Sequence, residues 1–83
     1  MSVVSYPAII HRDTDGMWLE FPDLSGCYTQ GDTVGGIMDN AKEALTGFLK
    51  AKMEHEEEMP KASDIRDIEC SLTDIKTYVS AMI

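Results

Sequence analysis

Cations are scarce in this chain. Seven Lys and Arg stand against 15 Asp and Glu in 83 residues, a formal net charge of −8. Following a nucleic-acid backbone needs clustered cationic side chains, and anionic membrane surfaces need the same, so both are disfavoured as partners of these residues. A basic protein partner is compatible with the charge, which also serves solubility. Cysteine is equally sparse: Cys27 and Cys70 lie far apart, with no CxxC pair and no disulfide scaffold. They read as reduced thiols of a cytoplasmic protein. No apolar run approaches the roughly 18 residues of a membrane helix. The opening Met1-Ser-Val-Val-Ser-Tyr-Pro has neither the basic region nor the apolar region of a secretory signal. Gly31, Gly35 and Gly36 lack the spacing and the lysine of a phosphate loop.

The apolar fraction is 43%, enough for one core and too much for a disordered chain. A domain this small buries only roughly 60% of its unfolded surface, so an oligomer or a partner is expected.

Residues 3–12 alternate as a strand, with Val4, Tyr6, Ala8 and Ile10 on one face and Val3, Ile9 and His11 on the other. Apolar residues on both faces suit a central strand. Pro7 removes a ladder donor and requires a position not yet paired on that side. Asp13-Thr-Asp-Gly16 is a hairpin turn, signalled by Asp15-Gly16. It resembles the start of a calcium loop, but a third carboxylate is missing and the glycine comes too early. Residues 17–21 form a second strand, with Met17, Leu19 and Phe21 opposite Trp18 and Glu20. Pro22 closes it. After the turn Asp23-Leu-Ser-Gly26, residues 27–30 make a short third strand.

Asp32 or Thr33 caps a helix expected over about residues 33–56. Val34, Ile37, Met38, Ala41, Leu45, Phe48, Leu49 and Met53 recur along it at three- and four-residue steps. Gly35-Gly36 weakens its first turn. The run Glu54-His-Glu-Glu-Glu58 ends it, because acids oppose the dipole there. Residues 63–68 suit a short helix capped by Ser63, with Ile65 and Ile68 inward, and residues 75–83 a fourth strand.

Connection rules then give an α+β fold, β-β-β-α-(short α)-β. The sheet order is 3-2-1-4, with one long helix on one face and strand four parallel to strand one, hence a mixed sheet. The other face has no helix to cover it. That face and the strand-four edge are the expected docking surfaces. The expected partner-binding residues are Asp13, Asp15, Trp18, Glu20 and Tyr28, and the expected oligomer edge is Thr77, Val79 and Ala81.

Catalytic readings are weaker. A two-metal nuclease would need Asp13, Asp15, Glu20 and Asp23 to converge, yet they sit at opposite ends of strand two. His11 and Cys27 come from strands one and three, with strand two between them, so a buried structural thiol is expected. His55 lies in an exposed acidic run. No catalytic residue, metal ligand or cofactor is expected. A homo-oligomeric binding module remains a further alternative.

One stretch is specific. Tyr6-Pro-Ala, Asp-x-Asp-Gly, then Phe21-Pro-Asp-Leu-Ser-Gly-Cys-Tyr-Thr-Gln-Gly-Asp-Thr33 leading into an Ala-containing helix resembles the N-terminal domain of HicB antitoxins. The resemblance covers residues 6–44 by motif and extends to residue 83 by layout, including the Pro-x-x-Ser loop before the last strand. It implies a partial ribonuclease H-like fold. It also implies neutralisation of a small basic mRNA-cleaving toxin, HicA, by covering its RNA surface and catalytic histidine. Such antitoxins dimerise and carry a C-terminal DNA-binding domain. These residues are therefore expected to be one N-terminal domain, 1–83, of a longer protein, with DNA bound only through the missing part. One departure is visible: Gly35 and Gly36 stand where the family commonly has two acids, so the capping box is absent.

Overall fold

In the computed structural model, which describes residues 2–83, the chain runs β1 (Val3–Asp13), β2 (Gly16–Glu20), β3 (Tyr28–Gly31), α1 (Val34–Glu54), a 3-10 turn (Ile65–Asp67) and β4 (Ile75–Met82). The sheet order is β3-β2-β1-β4 with α1 across one face, as the periodicity implies. Tyr6, Ala8, Ile10, Leu19, Val79 and Ala81 meet Ile37, Ala41, Leu45 and Leu49 of α1 in one core, closed at one end by Phe21, Leu24 and Cys27.

The direction of the last strand differs from expectation. The sheet is not mixed: β4 pairs antiparallel with β1, from Val3 opposite Met82 to Ile10 opposite Ile75. A parallel strand would follow if the chain entered β4 directly from the end of α1. Instead residues 55–74 carry it back along the sheet, so β4 starts at the far end and runs the other way. Three contacts tie down this return path. Tyr6 donates its hydroxyl to the Pro60 carbonyl, Ser63 bonds Asp23, and Ser71 and Asp74 close a final turn.

The ladder explains Pro7. Ser2 and Ile83 exchange both backbone hydrogen bonds, at 2.8 and 2.9 Å. Bonded and non-bonded pairs alternate along an antiparallel ladder. With the register unbroken, Tyr6–Val79 and Ala8–Thr77 are bonded pairs and Pro7–Tyr78 is a non-bonded one. The Pro7 nitrogen therefore points toward the β2 side, where pairing begins only at Ile9. A missing N–H costs nothing there.

Turn and cap chemistry sets the remaining boundaries. In the first hairpin the positive φ falls at Gly16 (140°), just after the two-residue Thr14-Asp15 loop. Thr33 is the N-cap of α1, its hydroxyl accepting the Gly36 N–H. The helix stops at Glu54, two residues short of the expected end. Glu56 takes a left-handed φ of 54°, while Glu56 N–H reaches Met53 O and Glu57 N–H reaches Lys52 O. That is a Schellman closure with glutamate where glycine is usual. The short helix is a single 3-10 turn capped by Asp64 rather than Ser63, because the Ser63 hydroxyl is committed to Asp23.

Candidate partner-binding face

Strand alternation sends two sets of side chains away from α1. Val3, Ser5, Pro7, Ile9 and His11 of β1 share the helix-free face with Trp18 and Glu20 of β2. Tyr28 and Gln30 of β3 and Lys76, Tyr78, Ser80 and Met82 of β4 complete it. This face is not wholly bare, as the sequence suggested. Tyr78 Oη accepts the Ile65 N–H, and the Lys76 ammonium donates to the carbonyls of Ile65 and Ile68. The 3-10 turn thus lies over β4, and Pro7 and Ile9 beside it are buried. Around β2 and β3 the face stays open, with Trp18 41% and Tyr28 69% exposed.

His11 organises the open half. Its ring stacks on Trp18, with centroids 4.2 Å apart and planes inclined by 23°. Nε2 lies 2.6 Å from Glu20 Oε2 and Nδ1 lies 3.2 Å from Asp74 Oδ1. The imidazole therefore bridges β2 to the loop before β4 while covering one face of the indole. Partial desolvation raises the Asp74 carboxyl, but hydrogen bonds from Ser71 and the His11 contact outweigh it and hold the group below 3.8. Sequence reasoning weighed His11 only as a partner for Cys27. Its place beside Trp18 follows from the hairpin register, which sets residue 11 opposite residue 18. Asp74 could not be found that way, because its approach depends on a loop.

Of the expected binding residues, the structure brings Trp18, Glu20 and Tyr28 together. They line a shallow depression of about 380 Å³ with Phe21, Pro22, Leu24, Ser25, Gly26 and Cys27 of the connecting turn. Asp13 and Asp15 lie on the other side of Trp18. With Asp32 and Gln30 they border a second depression of about 460 Å³ at the hairpin end. Asp13 also accepts the Thr14 N–H at 2.7 Å and so fixes its own turn.

The expected oligomer edge needs correcting. Val79 and Ala81 are 3% and 1% exposed, packed beneath α1, and Thr77, Val79 and Ala81 make their backbone bonds inward to β1. The outward N–H and C=O groups of β4 belong to Lys76, Tyr78, Ser80 and Met82. A substitution at Val79 probes the core, not the edge.

Of the four carboxylates considered for metal chemistry, three have local tasks: Asp13 holds a turn, Glu20 faces His11 and Asp23 binds Ser63. Among the described residues no group of three or more His, Cys, Asp or Glu is placed to hold a metal ion. Cys27 lies under α1, its Sγ directed at the Ala44 carbonyl, on the opposite side of the sheet from His11. Burial pushes its thiol up to about 11. No helix among the described residues is long and apolar enough to cross a membrane.

A four-stranded antiparallel sheet with one face under a long helix and the other half open is the fold of a small α+β domain. Residues 6–83 match the family described as HicB_like antitoxin of bacterial toxin-antitoxin system, and the chain belongs to that family. An uncharacterized 14.9 kDa protein from the rep-hol intergenic region of Haemophilus phage HP1 is 40% identical over 60 residues, 72% of this chain and 45% of the relative. The chain thus spans less than half the length of that relative. A UPF0150 protein of Thermoplasma acidophilum is 36% identical over 59 residues, 70% of this chain and 86% of its own length. Among solved structures, a toxin–antitoxin complex from Streptococcus pneumoniae superposes with a TM-score of 0.88 at 23% identity, covering 98% of this chain and 70% of that one. A HicA3–HicB3 toxin–antitoxin complex gives 0.76 at 28% identity, covering 96% and 100%. The N-terminal domain of Burkholderia pseudomallei antitoxin HicB gives 0.80 at 19% identity.

Proposed function

We propose that this chain is the toxin-binding domain of an antitoxin that neutralises a small, basic HicA-like mRNA-cleaving toxin. In this reading it acts by binding and not as an enzyme, and it works in the cytoplasm. The observation that carries the proposal is where the exposed apolar side chains gather. Of the eight large hydrophobics exposed among the described residues, five (Val3, Trp18, Tyr28, Tyr78 and Met82) project from the helix-free face. Such a concentration marks an interaction surface. A net charge of −8 favours a basic partner. Trp18, Glu20 and Tyr28 are the contact residues in this reading, and Asp13 and Asp15 steer the approach. Any DNA binding belongs to a part of the protein outside these residues.

The test is to mix the chain with the small basic protein encoded beside it. A complex on gel filtration at micromolar concentration, with loss of RNA cleavage, supports the proposal. Separate elution with undiminished cleavage refutes it. Asp13→Asn with Asp15→Asn should slow association and flatten its salt dependence without changing dissociation.

A second reading, self-association through β4, rests on one observation. Among the described residues no backbone bond reaches the outer edge of β4 from residues 55–74. Ser80→Pro removes an outward donor and leaves the β1 ladder intact, so sedimentation of that variant against the parent tests edge pairing.

A further inference from the structure

The depression beside Glu20 has a composition that selects its occupant. We infer that it is a guanidinium site, which takes an arginine side chain of the basic partner. The inference rests on the antitoxin reading and specifies the chemistry of its contact.

Glu20 and Tyr28 face each other directly across β2 and β3, and Trp18 lies two residues from Glu20 on the same face. Diagonal positions of this kind stand about 7–8 Å apart. Aromatic side chains on such a diagonal share one neighbourhood, and both rings border the depression. His11 already stacks on Trp18 from the β1 side, so the indole face left over is the one toward β3 and Tyr28. Phe21, Leu24 and Cys27, which also border the depression, are buried and apolar.

Charge decides the sign. Glu20 is the only Asp, Glu, Lys or Arg lining the depression. His11 holds its Oε2, and among the described residues Oε1 has no hydrogen-bond partner. An oriented carboxylate oxygen beside two aromatic faces rejects phosphates and carboxylates and attracts a cation. Between the two cationic side chains, guanidinium is planar, weakly hydrated and able to stack while it donates, whereas ammonium is compact and strongly hydrated. Arginine offers the rings a planar face and the oxygen its donors.

Trp18 is the only tryptophan in the chain and borders both depressions, so its emission is read together with the Glu20 and Tyr28 variants, which alter this one alone. The probe is N-acetyl-arginine methylamide, compared with the lysine and citrulline analogues, titrated into the intact chain. The arginine amide should give a saturable change with a millimolar dissociation constant. It should bind at least about threefold more tightly than the lysine amide, with no saturation by citrulline, which keeps the shape and loses the charge. Glu20→Gln and Tyr28→Ala should each weaken it several-fold while circular dichroism stays unchanged. Equal responses to arginine and citrulline, or no saturable response to arginine, overturn the inference. With the toxin itself, Glu20→Gln should weaken the complex by about thirtyfold or more. If the toxin binds parent and both variants equally, the guanidinium site is wrong and the antitoxin reading stands. If the arginine amide binds as described and no toxin does, the site stands and the antitoxin reading falls.

Discussion

Asp23 and Ser63, 40 positions apart in the chain, are joined by two hydrogen bonds: Ser63 donates its backbone N–H at 2.8 Å and its hydroxyl at 2.6 Å to the two carboxylate oxygens. The turn after β2 is thereby fastened to the connection that reverses β4. Hydrogen bonds to a charged group contribute about 1.5–3 kcal/mol each when partly buried. Asp23→Ala should destabilise the fold by about 2 kcal/mol in urea unfolding. Combined with Ser63→Ala it should show a coupling of about 1 kcal/mol. Strictly additive losses would mean the pair contributes nothing as a pair.

Both ends of α1 carry residues that work against it. A Cβ added at Gly35 meets nothing within 4 Å. Gly35→Ala should therefore raise stability by up to about 1 kcal/mol. At the other end Glu56 holds a left-handed backbone that glycine adopts freely, so Glu56→Gly should stabilise by about 1 kcal/mol. Thermal melting of the two single variants and their double checks both, and the gains should add because the sites are far apart.

Gly31 behaves oppositely. A Cβ there would lie 3.0 Å from the Cα, Cβ and N of Ile37, so β3 and α1 approach through the missing side chain. These contacts involve backbone, which cannot step aside. Gly31→Ala should cost on the order of 1–3 kcal/mol. Unchanged urea unfolding would show that the approach is looser than the geometry implies.

The two thiols should react at very different rates. Cys70 is exposed and Cys27 buried, so iodoacetamide should modify one thiol in the native protein and two in urea. Burial also raises the Cys27 thiol from 9.0 to about 11. Between those values the unfolded chain has released a proton that the folded chain retains. This contribution to stability is full below pH 9.0 and declines as the pH rises toward 11. The parent should lose more stability than Cys27→Ala between about pH 8 and about pH 10.5. Parallel losses would contradict the burial argument.

How much of this was legible differs from element to element. The amphipathic period of residues 37, 41, 45 and 49 locates α1, because a helix that covers one sheet must carry one apolar stripe. Alternation places Trp18 and Glu20 opposite Leu19, and the hairpin spacing sets the register that brings His11 to Trp18. Local chemistry also narrowed the cap to Asp32 or Thr33, of which the structure uses Thr33, and foretold Pro7 at a place without a partner. Those properties belong to neighbouring residues, and the sequence alone determines them.

The direction of β4, the cover over Pro7 and Ile9 and the approach of Asp74 to His11 all depend on residues 55–74. That segment has no periodicity to read. Its path is chosen by a few distant contacts, Tyr6 with Pro60, Asp23 with Ser63 and Tyr78 with Ile65, whose partners are named by no spacing rule. The same contacts cover Pro7 and Ile9 in the middle of the face and leave Trp18 and Tyr28 open on one side of them, Val3 and Met82 on the other. Burial there is a property of the assembled chain, because whether a side chain meets water depends on what the rest of the protein lays over it.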